Sequence, residues 1–132
     1  MNAATGFLIV FLGGGLGAAI RHGCNIAGLK LLGPAFPYAT MFINVSGSLI
    51  MGLAAAYFAF KGDASQHFSQ HLRLLLTTGV LGGYTTFSAF SLDAALLYER
   101  GQPGLAAFYV IGSVVLSIAG LFAGLWLVRQ LA

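Results

Sequence analysis

Polar residues are so sparse along this chain that their individual positions carry the pattern. Uncharged, mostly apolar runs extend over Met1–Ile20, Leu31–Phe60, Leu74–Leu92 and Gly101–Val128. Each supplies most or all of the roughly 20 residues a helix needs to cross the hydrocarbon core of a bilayer. The pattern predicts an all-α integral membrane protein with transmembrane helices near 5–29, 36–60, 73–98 and 103–129, in a single four-helix domain covering 1–132. Within the third run, GVLGGYTTFSAF at Gly79–Phe90 sets paired glycines and paired threonines in mid-span. No water reaches that depth to satisfy freed backbone groups, so a break survives there only when buried in protein or lining a wet cavity. The third helix is expected to be broken in this segment, with the glycine pair as helix breakers. Broken membrane helices commonly mark an ion or substrate site.

Composition agrees with the run lengths: 58% of the 132 residues are hydrophobic and 7% are charged, the balance of a membrane protein. Four spans leave no length for a soluble domain. The first run lacks a basic n-region and a convincing small-residue cleavage site, and reads as a retained helix rather than a leader. Cys24 is the sole cysteine, which excludes an intramolecular disulfide or a cysteine-based metal cluster and leaves a small packing residue.

Charge then constrains orientation. Four helices put Lys61, Arg73 and Arg129 on one side of the membrane, and Lys30 and Arg100 on the other, with Arg21 leaning the same way from within the end of the first helix. Three against three leaves no positive-inside bias. A chain without preferred orientation is expected to insert both ways and to pair as a dual-topology, antiparallel homodimer about a two-fold axis in the membrane plane. The formal net charge of +3 comes from residues scattered at helix ends, a distribution that excludes a nucleic-acid-binding face.

Small and polar residues inside the spans carry the next step. Gly13 with Gly17, and Gly120 with Gly124, have the four-residue spacing that lets membrane helices approach closely. Thr40, Asn44 and Ser48 recur every four residues on the second helix, and Tyr109, Ser113 and Ser117 do so on the fourth, so each row lies along one helix face. Interhelical hydrogen bonding accounts for any one of them; two rows of donors also suit an anion pathway. Arg21 lies within a span and is expected to add positive potential at a pore mouth. Helices one, two and four contain no acidic residue, which argues against a proton-coupled multidrug exporter of similar size, the alternative reading. Phe87 and Phe90, just after the break, share a helix face, and an aromatic ring has a positive edge that a small anion can approach. His67 and His71, four apart near the start of the third helix, leave two readings open: a pH-sensing or metal-binding pair, or solvated interfacial residues.

These residues together resemble the Fluc, or CrcB, family of bacterial fluoride channels over nearly the whole chain. GGLGAAIRH at Gly14–His22 resembles the family's first-helix motif, and Asn44 with Val45, Ser46 and Gly47 its second-helix motif. GGYTTFSAF at Gly82–Phe90 resembles the signature of its broken third helix, and the Tyr109, Ser113, Ser117 row its fourth-helix polar track. Ala89 stands where the family often has threonine, and His22 where tyrosine is common. The resemblance implies passive fluoride export across the bacterial plasma membrane through two antiparallel pores of a homodimer embedded in lipid, without enzymatic activity. By position it implies that Asn44, Phe87 and Phe90 coordinate fluoride, that Tyr109, Ser113 and Ser117 form the track, and that backbone carbonyls of Gly82 and Thr85 hold a structural sodium ion at the dimer centre.

Overall fold

The computed structural model describes residues 2–61 and 66–131, with the side chains of 61 and 66–69 outside the description. Helix α1 (Ala3–Leu32) starts at Asn2, whose side chain accepts the Thr5 N–H at 2.9 Å, and so satisfies one of the donors a helix start leaves unpaired. It stops at Gly33, where φ is 79° and the N–H returns to the Leu29 carbonyl. Only glycine adopts such a backbone without strain. Helix α2 (Tyr38–Lys61) follows. Next come α3 (Gln66–Leu74), a π-helical turn over Leu75–Leu81, and the single turn α4 (Gly82–Tyr84). Helix α5 (Phe87–Glu99) and helix α6 (Pro103–Leu131) complete the described chain.

Among the described residues, four stretches are long and apolar enough to cross a membrane: Ala3–Leu32, Tyr38–Phe60, Gln70–Glu99 and Pro103–Leu131. Large apolar side chains such as Phe7, Phe11, Phe122 and Trp126 are exposed on the outer surface, whereas Ile43, Leu97 and Tyr109 are fully buried. This inverted economy suits a lipid-facing exterior.

Lipid tails are as apolar as leucine, so close backbone approach rather than hydrophobic burial brings the helices together. The most extensive pairing joins α2 to α6. A Cβ at Gly52 would overlap the Leu121 carbonyl, and one at Gly124 the Leu49 carbonyl. Helix α1 packs on the π-helical turn and α4, with Gly17 against the Val80 carbonyl and Gly83 against the Gly14 carbonyl.

The third span is interrupted, but not at its glycines. Gly82 is helical, with φ −63° and ψ −37°, and Gly83 belongs to α4. The chain turns extended at Thr85 (φ −81°, ψ 159°) and Thr86 (φ −152°, ψ 125°). β-Branched residues tolerate extended backbone well, and their hydroxyls supply substitute hydrogen bonds. Thr85 Oγ1 donates to the Leu81 carbonyl at 2.9 Å, and Thr86 Oγ1 caps α5 by accepting the Ala89 N–H at 3.1 Å. Gly83 is required instead where α4 meets α1, whereas a Cβ at Gly82 would make only an ordinary contact with the Thr77 carbonyl.

Candidate functional site

The break opens a cavity of ≈ 350 Å³ between α2, α5 and α6. Asn44 and Ser48 face it from α2, Phe87 and Phe90 from α5, and Ser113 and Ser117 from α6. The four-residue spacing on α2 and α6 and the three-residue spacing on α5 thus bring six of the residues singled out in the sequence into one groove.

Asn44 binds the break itself. Its Oδ1 accepts the Thr86 N–H at 2.9 Å, while its Nδ2 donates to the Thr86 carbonyl at 3.0 Å. The side chain replaces the ladder bonds that Thr86 forfeits by leaving the helix. One Nδ2 hydrogen is left over, since a primary amide carries two.

Ser113 is 3% exposed. Among the described residues, its Oγ is the buried side-chain polar atom without a hydrogen-bond partner. A hydroxyl in apolar surroundings costs free energy unless something pairs with it. Phe87 is 77% exposed at the rim and Phe90 is buried beneath it, their ring centroids 5.5 Å apart at 51°.

Other expected residues lie elsewhere. Tyr109 does not line the groove: it is fully buried, and its hydroxyl donates to Asp93 Oδ2 at 3.2 Å. Thr40, also buried, faces a second cavity with Asp93, as does Ala89. Arg21 lines neither cavity and donates from Nε to the Gly83 carbonyl at 3.2 Å, tying α1 to the turn before the break. Among the described residues, no hydrogen bond ends on the Gly82 or Thr85 carbonyls, which leaves two hard oxygen donors free. No group of three or more His, Cys, Asp or Glu that could hold a metal occurs among the described residues; the expectation for His67 lies outside that description.

Two contacts had no forewarning in the residue rows. Ser46 Oγ and Tyr84 Oη lie 2.9 Å apart, linking α2 to α4, and Asp93 supplies the acceptor for Tyr109.

Four apolar spans among the described residues, with a groove between them that serine and asparagine side chains face, define a small multi-pass membrane protein. The sequence matches the model of the family described as CrcB-like protein, Camphor Resistance (CrcB), over residues 8–125, and the chain belongs to that family. It is 70% identical to the fluoride-specific ion channel FluC of Rhodopseudomonas palustris over 125 residues, 95% of this chain and 98% of the relative. Identity is 62% to fluoride-specific ion channel FluC 2 of Nitrobacter hamburgensis, over 95% of this chain and 98% of that one. It is 57% to a fluoride-specific ion channel FluC of Beijerinckia indica, over 95% and 97%. The family is one of ion channels rather than enzymes, and the chain is a multi-pass protein of the bacterial plasma membrane.

Proposed function

We propose that the chain is a fluoride-selective channel that exports the ion passively across the plasma membrane, working as an antiparallel homodimer with two pores. The observation that carries this reading is the Ser113 hydroxyl, buried without a partner among the described residues in a groove that also presents the Asn44 amide, two further serines and two phenylalanine rings. Fluoride is small and strongly hydrated. A pore for it must replace water with hydrogen-bond donors and still release the ion. Hydroxyls, an amide hydrogen and ring edges do so without a fixed positive charge that would trap the anion.

Asn44, Phe87 and Phe90 coordinate fluoride in this reading, with Ser48, Ser113 and Ser117 continuing the route and Thr40 and Tyr109 at its far end. Arg21 makes the break region positive. The balanced charges at the helix ends support insertion in both orientations, and the exposure of Phe87 at the groove rim supports a wall completed by a second copy.

A structural sodium ion fits the same frame. The carbonyls of Gly82 and Thr85, without hydrogen bonds among the described residues, are ligands suited to a hard cation, and two copies of the break would supply four. Bound there, sodium would offset part of the cost of bringing an anion into low dielectric. The alternative of a proton-coupled multidrug exporter is not favoured, because the relatives are fluoride channels.

Growth tests the transport reading. Expression in a bacterium stripped of its own fluoride export should restore growth in millimolar fluoride, and failure by well-expressed protein would oppose the reading. Topology is tested separately by replacing Cys24 with serine, placing single cysteines in the loops and labelling each from both sides. Labelling from one side alone would sink the antiparallel dimer.

A further inference from the structure

Tyr109 stands between two cavities and lines neither of them. On one side its ring packs on Phe90, a wall of the groove, with centroids 5.2 Å apart, and Ser113 follows one helical turn later. On the other side lies a second cavity of ≈ 340 Å³, bounded by the linker residues Gly33, Pro34 and Pro37 and by Arg100 at the end of α5. Phe36 of that cavity meets the Tyr109 ring edge-on at 5.5 Å. Asp93, another of its walls, accepts the Tyr109 hydroxyl at 3.2 Å. Tyr109 has no exposed surface, so its ring is the partition between the mid-span groove and the cavity beneath the loops.

We infer that Tyr109 and Asp93 form a latch across this partition: an anion passing between the cavities takes the place of Asp93 as acceptor of the Tyr109 hydroxyl. The inference rests on the fluoride-conduction reading. A phenol has a single hydrogen to donate. A carboxylate and a fluoride ion both seek it, and their like charges oppose sharing it at short range. The acceptors must therefore exchange. Hydrogen bonds to a charged acceptor are stronger than neutral ones, so Asp93 sets how readily the hydroxyl is released. Competition from a resident carboxylate also keeps the anion from lodging at Tyr109, which a conducting pore requires. Asp93 is a positioning residue in this scheme, acting through the hydroxyl rather than on the ion.

A purely structural bond, one that only pins α6 to α5, makes a different forecast. Its loss lowers the yield of assembled protein and leaves the conductance of each assembled channel unchanged. The test is unitary fluoride conductance in planar bilayers for wild type, Asp93→Asn, Tyr109→Phe and the double variant, with assembly checked by gel filtration. Asp93→Asn keeps the shape and replaces a charged acceptor by a neutral one, and conductance should rise about fivefold. Tyr109→Phe and the double variant should conduct alike, because without the hydroxyl there is nothing to release. Unchanged or reduced conductance in Asp93→Asn overturns the latch, as does an equal Asp93→Asn effect with and without the hydroxyl. A wild type that carries no fluoride current overturns the conduction reading and the latch with it. Should Asp93→Asn fail to assemble, Asp93→Ser, too short to reach the hydroxyl, takes its place under the same criteria.

Discussion

The Asn44 side chain and the Thr86 peptide are paired as two peptide groups pair across adjacent strands, N–H to Oδ1 at 2.9 Å and Nδ2 to carbonyl at 3.0 Å. The bond that stabilises the break thereby also aims the amide at the groove. Asn44→Asp keeps the acceptor for the Thr86 N–H but sets a carboxylate oxygen against the Thr86 carbonyl and removes the spare N–H. The variant should lose about 1–3 kcal/mol of stability and all fluoride flux while still assembling. Thermal melting and liposome efflux check the two halves, and normal flux would remove Asn44 from the pathway.

Ser113→Ala separates transport from stability. The hydroxyl has no partner among the described residues, so its removal should leave stability within about 1 kcal/mol of the parent or raise it. Fluoride efflux should fall about tenfold or more, the loss expected for one hydrogen bond to an ion. A variant that melts early and conducts normally would instead assign Ser113 to packing.

Gly83→Ala should damage assembly, because its Cβ would overlap the Gly14 carbonyl, a backbone group that cannot swing aside. A cost of about 1–3 kcal/mol or more is expected. Gly15→Ala is the control on the exposed side of α1, since among the described residues no atom of another helix lies within 4 Å of its added Cβ. The yield of monodisperse protein in detergent compares them; equal yields would mean that α1 and α4 pack less closely than described.

If Gly82 and Thr85 carbonyls hold sodium, thermal stability should climb with sodium and not with choline at the same ionic strength. At a sodium concentration a hundredfold above the dissociation constant, the gain is about 2.7 kcal/mol. Identical melting in both salts would leave the carbonyls without that role.

The lengths of the uncharged runs made four spans legible, because the bilayer imposes one length on each. The four-residue spacing of Asn44 with Ser48 and of Ser113 with Ser117 placed each pair on a helix face, and those faces meet in the groove. Spacing failed where a long-range contact decides. Gly82 and Gly83 look like breakers in isolation, yet the approach of Gly14 accounts for Gly83, and the break passes to Thr85 and Thr86, whose hydroxyls replace ladder bonds. Thr40 and Tyr109 follow their rows in register without lining the groove. Tyr109 turns to Asp93, 16 residues earlier on another helix, and no periodicity along α6 contains that partner.

Ion efflux from liposomes holding the purified protein tests selective fluoride conduction most directly. Fluoride and chloride are compared with membrane potential clamped by potassium and valinomycin. Rapid fluoride release with chloride retained is the predicted result. Retention of both ions, or equal release of both, would contradict selective fluoride conduction by this chain.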